Sequence, residues 1–375
     1  MEKKRIALIQ NTSDHGMQKF ILNDISKLLN EQGYEATVLQ FQYFDDKGKF
    51  EDFIVQKIEK PDYDLVITMD LTGFERRIME DETFYNQLYC PMINLMTKDA
   101  WYFSHYLEQR LNFSMFFYTL YQYNVDYIRE TFWKFPNIDI IPPAGFQSSD
   151  CMEYQKRSDA VYLLGDYQNP QCILAKISEL PDVFAKIANT LIGRMKQNPR
   201  HSLYEELKQY FEEIQFPCQK EELVDILSEL SLISTYLEME QTDLILHTLL
   251  AADIPVLVSG RGWGKISEKI VILGNEEYPF EEMLKTMGKT KIVLYNTKGH
   301  AGEPGIEAVS ALQSGALVLS NGTGYEGMIP FSQKELPLLP EKIRELFTQE
   351  GSKTSSSEKS QFSPAILKMV ENCFS

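Results

Sequence analysis

Short, wholly apolar runs alternate with helix-length amphipathic segments along this chain, and that alternation limits the fold more than any other feature. Ile6 to Ile9 is a continuous apolar run, as expected of a strand covered on both faces. A polar loop from Gln10 to Gly16 follows, then Met17, Phe20, Ile21, Ile25, Leu28 and Leu29 at helical spacing, and Gly33 to end the helix. The cycle repeats, with strands expected at Ala36 to Phe41, Asp64 to Met69, Pro91 to Leu95, Met115 to Leu120 and Ile138 to Ile141. Strands separated by helix-length segments imply parallel pairing through βαβ units. Pro142, Pro143 and Gly145 break the pattern, so residues 1–150 are expected to form a first Rossmann-like domain.

A second series begins at Asp159 to Leu164 and resumes at Pro255 to Val258, Val271 to Leu273, Lys291 to Leu294 and Ala316 to Leu319. Between its first two strands, about residues 172–250, the pattern is helical throughout. Val183, Ile187, Leu191 and Ile192 share one helix face; Leu223, Ile226, Leu227, Leu230 and Ile233 share another. Residues 151–350 are thus expected to be a second doubly wound α/β domain with a helical insertion. Residues 351–375 read as a Ser-rich linker and a final amphipathic helix carrying Ile366, Leu367, Met369, Val370 and Phe374. At 375 residues the chain exceeds one ordinary core, and two such domains facing a cleft account for it.

Charge narrows the partners. With 37 Lys+Arg against 54 Asp+Glu the formal net charge is −17, which speaks against nucleic-acid binding and against adsorption to anionic membranes. Cys90, Cys151, Cys172, Cys218 and Cys373 are scattered, without the spacing of a zinc site, as in a reducing cytoplasm. The apolar run after Lys3, Lys4 and Arg5 is too short for a signal peptide, and Leu244 to Val258 is interrupted by His247, Asp253 and Pro255, so no membrane insertion is expected.

Open α/β sheets bind ligands beyond the carboxyl ends of their strands. After Val258 the chain reads Ser259-Gly260-Arg261-Gly262-Trp263-Gly264-Lys265; the glycines permit close backbone approach, and Arg261 and Lys265 bring positive charge. This is either a phosphate loop or a glycine-rich turn with surface cations. Lys291 to Leu294 runs into a loop holding Asn296 and His300, then Gly302-Glu303-Pro304-Gly305, which opens a helix with Glu307 in its first turn. Free N–H groups and the helix dipole there suit a diphosphate, and Glu303 and Glu307 can accept hydrogen bonds from sugar hydroxyls. Either glutamate can equally be a dipole-complementing surface charge. Asn321-Gly322-Thr323-Gly324 forms a flexible loop at the same edge.

These segments resemble a known group. The run KIVILGNEEYPFEEMLKTMGKTKIVLYNTKGHAGEPGIEAVSALQSGALVLSNGTGYEG is similar to the donor half of GT-B glycosyltransferases, and YDLVITMDLTG, PMINLMTKDAWYFSHYL, IIPPAG, RSDAVYLLGDYQNP and IPVLVSGRGW extend the likeness over most of the chain. The nearest branch is the CgeB-like, spore-maturation one. The resemblance implies a nucleotide-sugar donor, with Gly274 and Asn275 in the base-contacting turn. It also implies donor contacts from Asn296, His300, Gly302, Glu303, Gly305 and Thr323. Ser310 stands where many relatives carry a second donor-binding Glu, so Glu307 one turn earlier is expected to take that part. The cation pair that retaining relatives place after the first strand of this domain is missing after Leu164, leaving Arg261 and Lys265 to supply the charge.

In this family the acceptor binds the N-terminal domain, where His15, Asp70 and Asp99 follow strands and are candidates for the base that takes the acceptor's proton. No metal and no cofactor are expected, since helix N-termini and cations can stabilise a leaving diphosphate. The aromatic stretch from Trp101 to Phe135 reads first as core and second as an acceptor groove. The leading expectation is transfer from a UDP-sugar to a hydroxyl on a protein, glycan or small molecule. Its rivals are a nucleotide-sugar epimerase or hydrolase, and a non-catalytic nucleotide-sugar or glycan binder.

Overall fold

The computed structural model describes residues 3–11, 16–41, 63–74, 77–79, 82–87, 90–143, 145–264, 266–274, 278–297, 304–322, 325–349 and 362–374. The chain forms two compact units, Met1–Pro142 with Gln361–Ser375, and Pro143–Ser360.

The first unit is built on β1 (Arg5–Asn11), β2 (Glu35–Phe41), β3 (Leu65–Met69), a small antiparallel hairpin of β4 (Arg77–Met79) and β5 (Glu82–Thr83), β6 (Met92–Met96), β7 (Met115–Thr119) and β8 (Ile138–Ile140). Apart from the hairpin these strands make one six-stranded parallel sheet, ordered β2-β1-β3-β6-β7-β8. Ile6 to Ile9 and every residue of β3 and β6 are buried, as continuous apolar runs require when both faces are covered. The helix Met17–Glu31 starts after Gly16, held at φ 79°, and turns Ile21, Leu22, Ile25 and Leu29 into the core. The terminal helix Phe362–Phe374 belongs to this unit, not to the second: Ile366, Met369 and Val370 are buried, and Phe374 stacks on Tyr34 at 6.1 Å. Burying each such side chain contributes about 1.5–3 kcal/mol, enough to hold a helix that the sequence does not tether nearby.

The second unit contains β9 (Ser158–Leu163), β10 (Val256–Val258), β11 (Ile270–Ile272), β12 (Thr290–Tyr295), β13 (Leu317–Ser320) and β14 (Met328–Pro330), all parallel. Their order is β11-β10-β9-β12-β13-β14, the 3-2-1-4-5-6 order of dinucleotide-binding sheets, with its switch point between β9 and β12. The fold class read from the sequence, two Rossmann-like doubly wound α/β domains with a helical insertion in the second, is the one observed. β14 escaped the sequence reading because it is a three-residue edge strand ending in Pro330, a residue tolerated only where one side of the strand is unpaired.

The insertion comprises the helices Pro170–Ser178, Asp182–Gln197, Leu203–Glu213, Lys220–Glu229 and Leu232–Ala251. Its turns are strongly capped: Asn169 accepts from Gln171 N–H ahead of Pro170, and Ser202 with Glu205 forms a capping box. The last of these helices buries Ile245, Leu246 and Leu249 against Val161, Leu163, Ile292 and Leu294 on one sheet face, together with Leu339 and Ile343 of the helix Leu339–Thr348. The helices Phe280–Lys289 and Ile306–Gln313 pack against β9, β12 and β13.

The division between the units falls at Pro142/Pro143 rather than after Asp150. Backbone hydrogen bonding explains the difference. Phe146 N–H donates to Ser310 Oγ (2.9 Å) and Ser148 N–H to Ser314 Oγ (3.0 Å), so alternate residues of an extended segment bind successive turns of the helix Ile306–Gln313 and its C-cap. Gly145 makes the approach possible, since a Cβ there would lie 2.6 Å from the Val309 carbonyl carbon. Of the expected linker over 351–363, residues 351–361 lie outside the described residues, and Phe362 and Ser363 already belong to the final helix. Among the described residues no helix is long and apolar enough to cross a membrane.

Candidate ligand site at the carboxyl edge of the second sheet

β9 and β10 end side by side, and their loops interlock. Arg261 N–H donates to Asp166 Oδ1 (2.8 Å), its guanidinium pairs with Asp166 Oδ2 (2.9 Å), and its carbonyl accepts from Tyr167 N–H (2.9 Å). Trp263 Nε1 donates to Gly165 O (3.0 Å), and its ring stacks on Tyr167 at 5.2 Å. Gly260 and Gly262 of this loop therefore have a close neighbour within the chain. Gly262 sits at φ 81°, and a Cβ there would lie 1.8 Å from Tyr167 O; Gly260, at φ 114°, would place one 2.6 Å from Asp166 Oδ1. Arg261 remains 62% exposed, and an exposed ion pair holds it by no more than about 1 kcal/mol, so an anion can draw it away. Burial, and then the hydrogen bond to Asp243, push the Tyr167 hydroxyl up to about 12. Lys265 lies outside the described residues.

β12 delivers Tyr295, Asn296 and Thr297 to the same edge. Tyr295 Oη accepts the Gly305 N–H (3.0 Å), which fixes the start of the helix Ile306–Gln313 against the sheet. Glu307 stands half-buried in the first turn of that helix, whose N-terminus carries no side-chain cap. Ser310 is placed differently from a ligand contact. It is fully buried, its Oγ donating to Ile306 O (2.7 Å) while accepting from Phe146 N–H. Ser310→Ala is expected to lower stability by about 1–2 kcal/mol in urea unfolding, the cost of an orphaned buried N–H, with nucleotide-sugar affinity unchanged. The opposite pattern, intact stability and lost affinity, would return Ser310 to the ligand. Gly274 lies against the ring of Tyr278, where a Cβ would sit 2.5 Å from Cδ2. Asn275, His300, Gly302, Glu303 and Thr323 lie outside the described residues.

Beside these elements the sheet edge carries an amide relay. Asn296 Nδ2 donates to Glu238 O and Thr242 Oγ1 (2.8 Å each), Asn321 Nδ2 donates to Asn296 Oδ1, and Asn321 Oδ1 accepts from Thr297 N–H (2.8 Å) and Oγ1 (3.0 Å). The relay ties β12 and β13 to the helix Leu232–Ala251. A groove of about 480 Å³ opens there, walled by that helix, the end of the helix Asp182–Gln197, and the chain after β12, β13 and β14. The groove residues from the insertion, including Lys196, Arg200, Glu240 and Gln241, belong to no sequence motif. Only their helical spacing was legible. The turn that presents Arg200 is held by Glu206, a fully buried carboxylate receiving Arg194 Nε (2.8 Å), Asn198 Nδ2 (3.1 Å) and the His201 ring (2.7 Å).

In the first unit, Asp70 and Asp99 lie just beyond the adjacent strands β3 and β6. Asp70, at φ 47°, accepts Thr97 N–H and Thr97 Oγ–H (2.7 Å each) and stays half-exposed. Asp99 is only 5% exposed and accepts the Tyr123 hydroxyl (2.8 Å). His15 lies outside the described residues. Of the aromatic stretch, Trp101, Phe117, Tyr121, Tyr123 and Phe135 are core, whereas Trp133 is 84% exposed. Among the described residues no group of three or more His, Cys, Asp or Glu is placed to hold a metal ion.

No protein-family model matches this chain, and no curated sequence does. Among solved structures it is similar to that of the DNA-modifying enzyme β-glucosyltransferase, determined in the presence and absence of its substrate uridine diphosphoglucose. The identity is 11% and the TM-score 0.44, over 98% of this chain and 95% of that one.

Proposed function

We propose that this chain is a GT-B-type glycosyltransferase. It would move a sugar from a nucleotide diphosphate, a UDP-sugar in the first instance, to a hydroxyl on a protein, glycan or small molecule, without a metal ion. The observation that carries the reading is the 3-2-1-4-5-6 sheet, with the glycine- and glutamate-bearing helix start following β12 at its carboxyl edge. The motif order resembling the CgeB-like branch supports it.

In this reading the first-turn N–H groups and dipole of the helix Ile306–Gln313 take the diphosphate, and Glu307 accepts from a sugar or ribose hydroxyl. Arg261, Lys265 and His300 neutralise the leaving group, while Gly302, Glu303 and Thr323 border the sugar; Asn296, its side chain used in the amide relay, steadies the end of β12. Gly274 and Asn275 border the base. As the acceptor oxygen bonds to the anomeric carbon and the bond to the diphosphate breaks, a carboxylate takes the acceptor's proton. Asp70, half-exposed, suits that role better than Asp99. The net charge of −17 leaves polyanionic acceptors outside the proposal, and a cytoplasmic location is part of it.

A second reading, binding without transfer, is favoured by one observation: Ser310 serves the connector, so the helix lacks a second acidic residue at that position. A turnover screen across nucleotide sugars separates the two. Nucleotide release that requires an acceptor supports transfer, release without one indicates a hydrolase, and no release from any donor leaves only the binder. Glu307→Gln is expected to weaken the donor about 10- to 100-fold, through loss of a charge-assisted hydrogen bond, in donor Kd and in kcat/KM. Unchanged values would remove Glu307 from the site.

A further inference from the structure

We infer that the groove beside the inserted helices is a binding site for an uncharged saccharide, separate from the nucleotide. Its size comes first: about 480 Å³ lies in the range of small-ligand sites and accommodates a di- or trisaccharide. Its chemistry then excludes the other classes. An anion would meet Glu240 and Glu335 as well as Lys196 and Arg200, and Lys196 is already paired with Glu240 at 2.6 Å. The helix Asp182–Gln197 also points its negative C-terminal end at the groove. A planar base lacks a ring to stack on, because Phe331, the aromatic residue of the lining, is buried to 3% exposure. A wholly apolar ligand would strand the polar and charged side chains that ten of the sixteen lining residues contribute.

What remains is a ligand that donates and accepts hydrogen bonds without net charge. The side chains of Arg200, Gln241 and Gln333 line the groove and make no hydrogen bond or ion pair with any described residue. Two are amides, which both donate and accept, as sugar hydroxyls do. Leu237 and Pro199 provide apolar surface for the C–H face of a pyranose ring. The amide relay through Asn296 and Asn321 and the Glu206 turn hold these walls in place, so the site is formed before any ligand arrives. The inference does not depend on sugar transfer, because a saccharide can dock here whether or not the chain turns over a nucleotide sugar.

The test uses the full chain with maltotriose, cellotriose and tri-N-acetylchitotriose as probes, read by saturation-transfer NMR and by the shifts of labelled methionine methyls. At least one probe is expected to bind with a Kd of about 0.1–1 mM, to shift the Met195 methyl, and to persist under saturating UDP. Arg200→Ala and Gln241→Ala should each weaken it about tenfold, with the thermal midpoint unchanged because neither side chain has a partner to lose. The inference is overturned if no probe binds at about 10 mM, if binding survives both substitutions, or if UDP displaces the saccharide. Donor turnover is measured separately, so failure here does not touch the transferase reading, nor the reverse.

Discussion

Glu206→Ala is expected to destabilise the second unit by about 3 kcal/mol, near the lower end for breaking a buried ion pair. The carboxylate is wholly buried and receives hydrogen bonds from Arg194, Asn198 and His201. Removing it strands those groups, though Arg194 is 23% exposed and keeps Glu213 at 2.6 Å, which moderates the loss. Burial alone pushes the Glu206 carboxyl up, but hydrogen bonds from Arg194, His201 and Asn198 outweigh it and hold the group below the usual glutamate range. The sign of the pH effect follows. A lowered folded pKa stabilises the fold fully above the unfolded glutamate value of about 4.3, and that contribution disappears as pH falls through the lower folded value. Urea unfolding between about pH 7 and pH 3 should therefore show an acid-sensitive component in the natural protein that Glu206→Gln removes. A loss below about 1 kcal/mol for the alanine variant would show that the turn does not depend on this carboxylate.

Gly262→Ala is the second large effect, and it decides what the glycine-rich loop is for. A Cβ at this position would lie 1.8 Å from Tyr167 O, and the residue is held at φ 81°. The left-handed conformation alone costs a non-glycine residue about 1–2 kcal/mol, and the backbone clash forces the loop away from Gly165–Tyr167 in addition. A destabilisation of about 3 kcal/mol is expected with no nucleotide present. Gly264→Ala is the control: its nearest non-neighbouring atom is 3.9 Å away, so only the strain of φ 38° applies, about 1 kcal/mol. If Gly262→Ala instead keeps its thermal midpoint and loses donor affinity, the glycine makes room for a ligand and not for the chain itself.

This loop shows how a motif's presence and its purpose come from different levels. Gly260, Gly262 and Gly264 after a short apolar strand announce a tight turn, and the turn is there. Nothing nearby in sequence says that the close neighbour is Tyr167, almost a hundred residues earlier. The same holds for Ser310. Its place four residues after Ile306 in a helix was legible, but its partner is Phe146, brought in by a connector that the sequence assigned to the other domain. Arg200, Gln241 and Gln333 were invisible as a group because they meet only when the inserted helices fold over the sheet edge.

Sequence by itself determined that the chain folds as two parallel, doubly wound α/β units, with a helical insertion in the second. Continuous apolar runs and 3.6-residue periodicity are local properties, set by burial of residues within a few positions of one another. Only the tertiary structure decided the two strand orders, the docking of the helix Phe362–Phe374 on the first unit, and the capture of residues 143–150 by the second. It also decided which polar groups were consumed by the fold and which were left to face a groove. Those outcomes depend on contacts between distant residues, where burial and the obligation to pair every buried N–H outweigh any local preference.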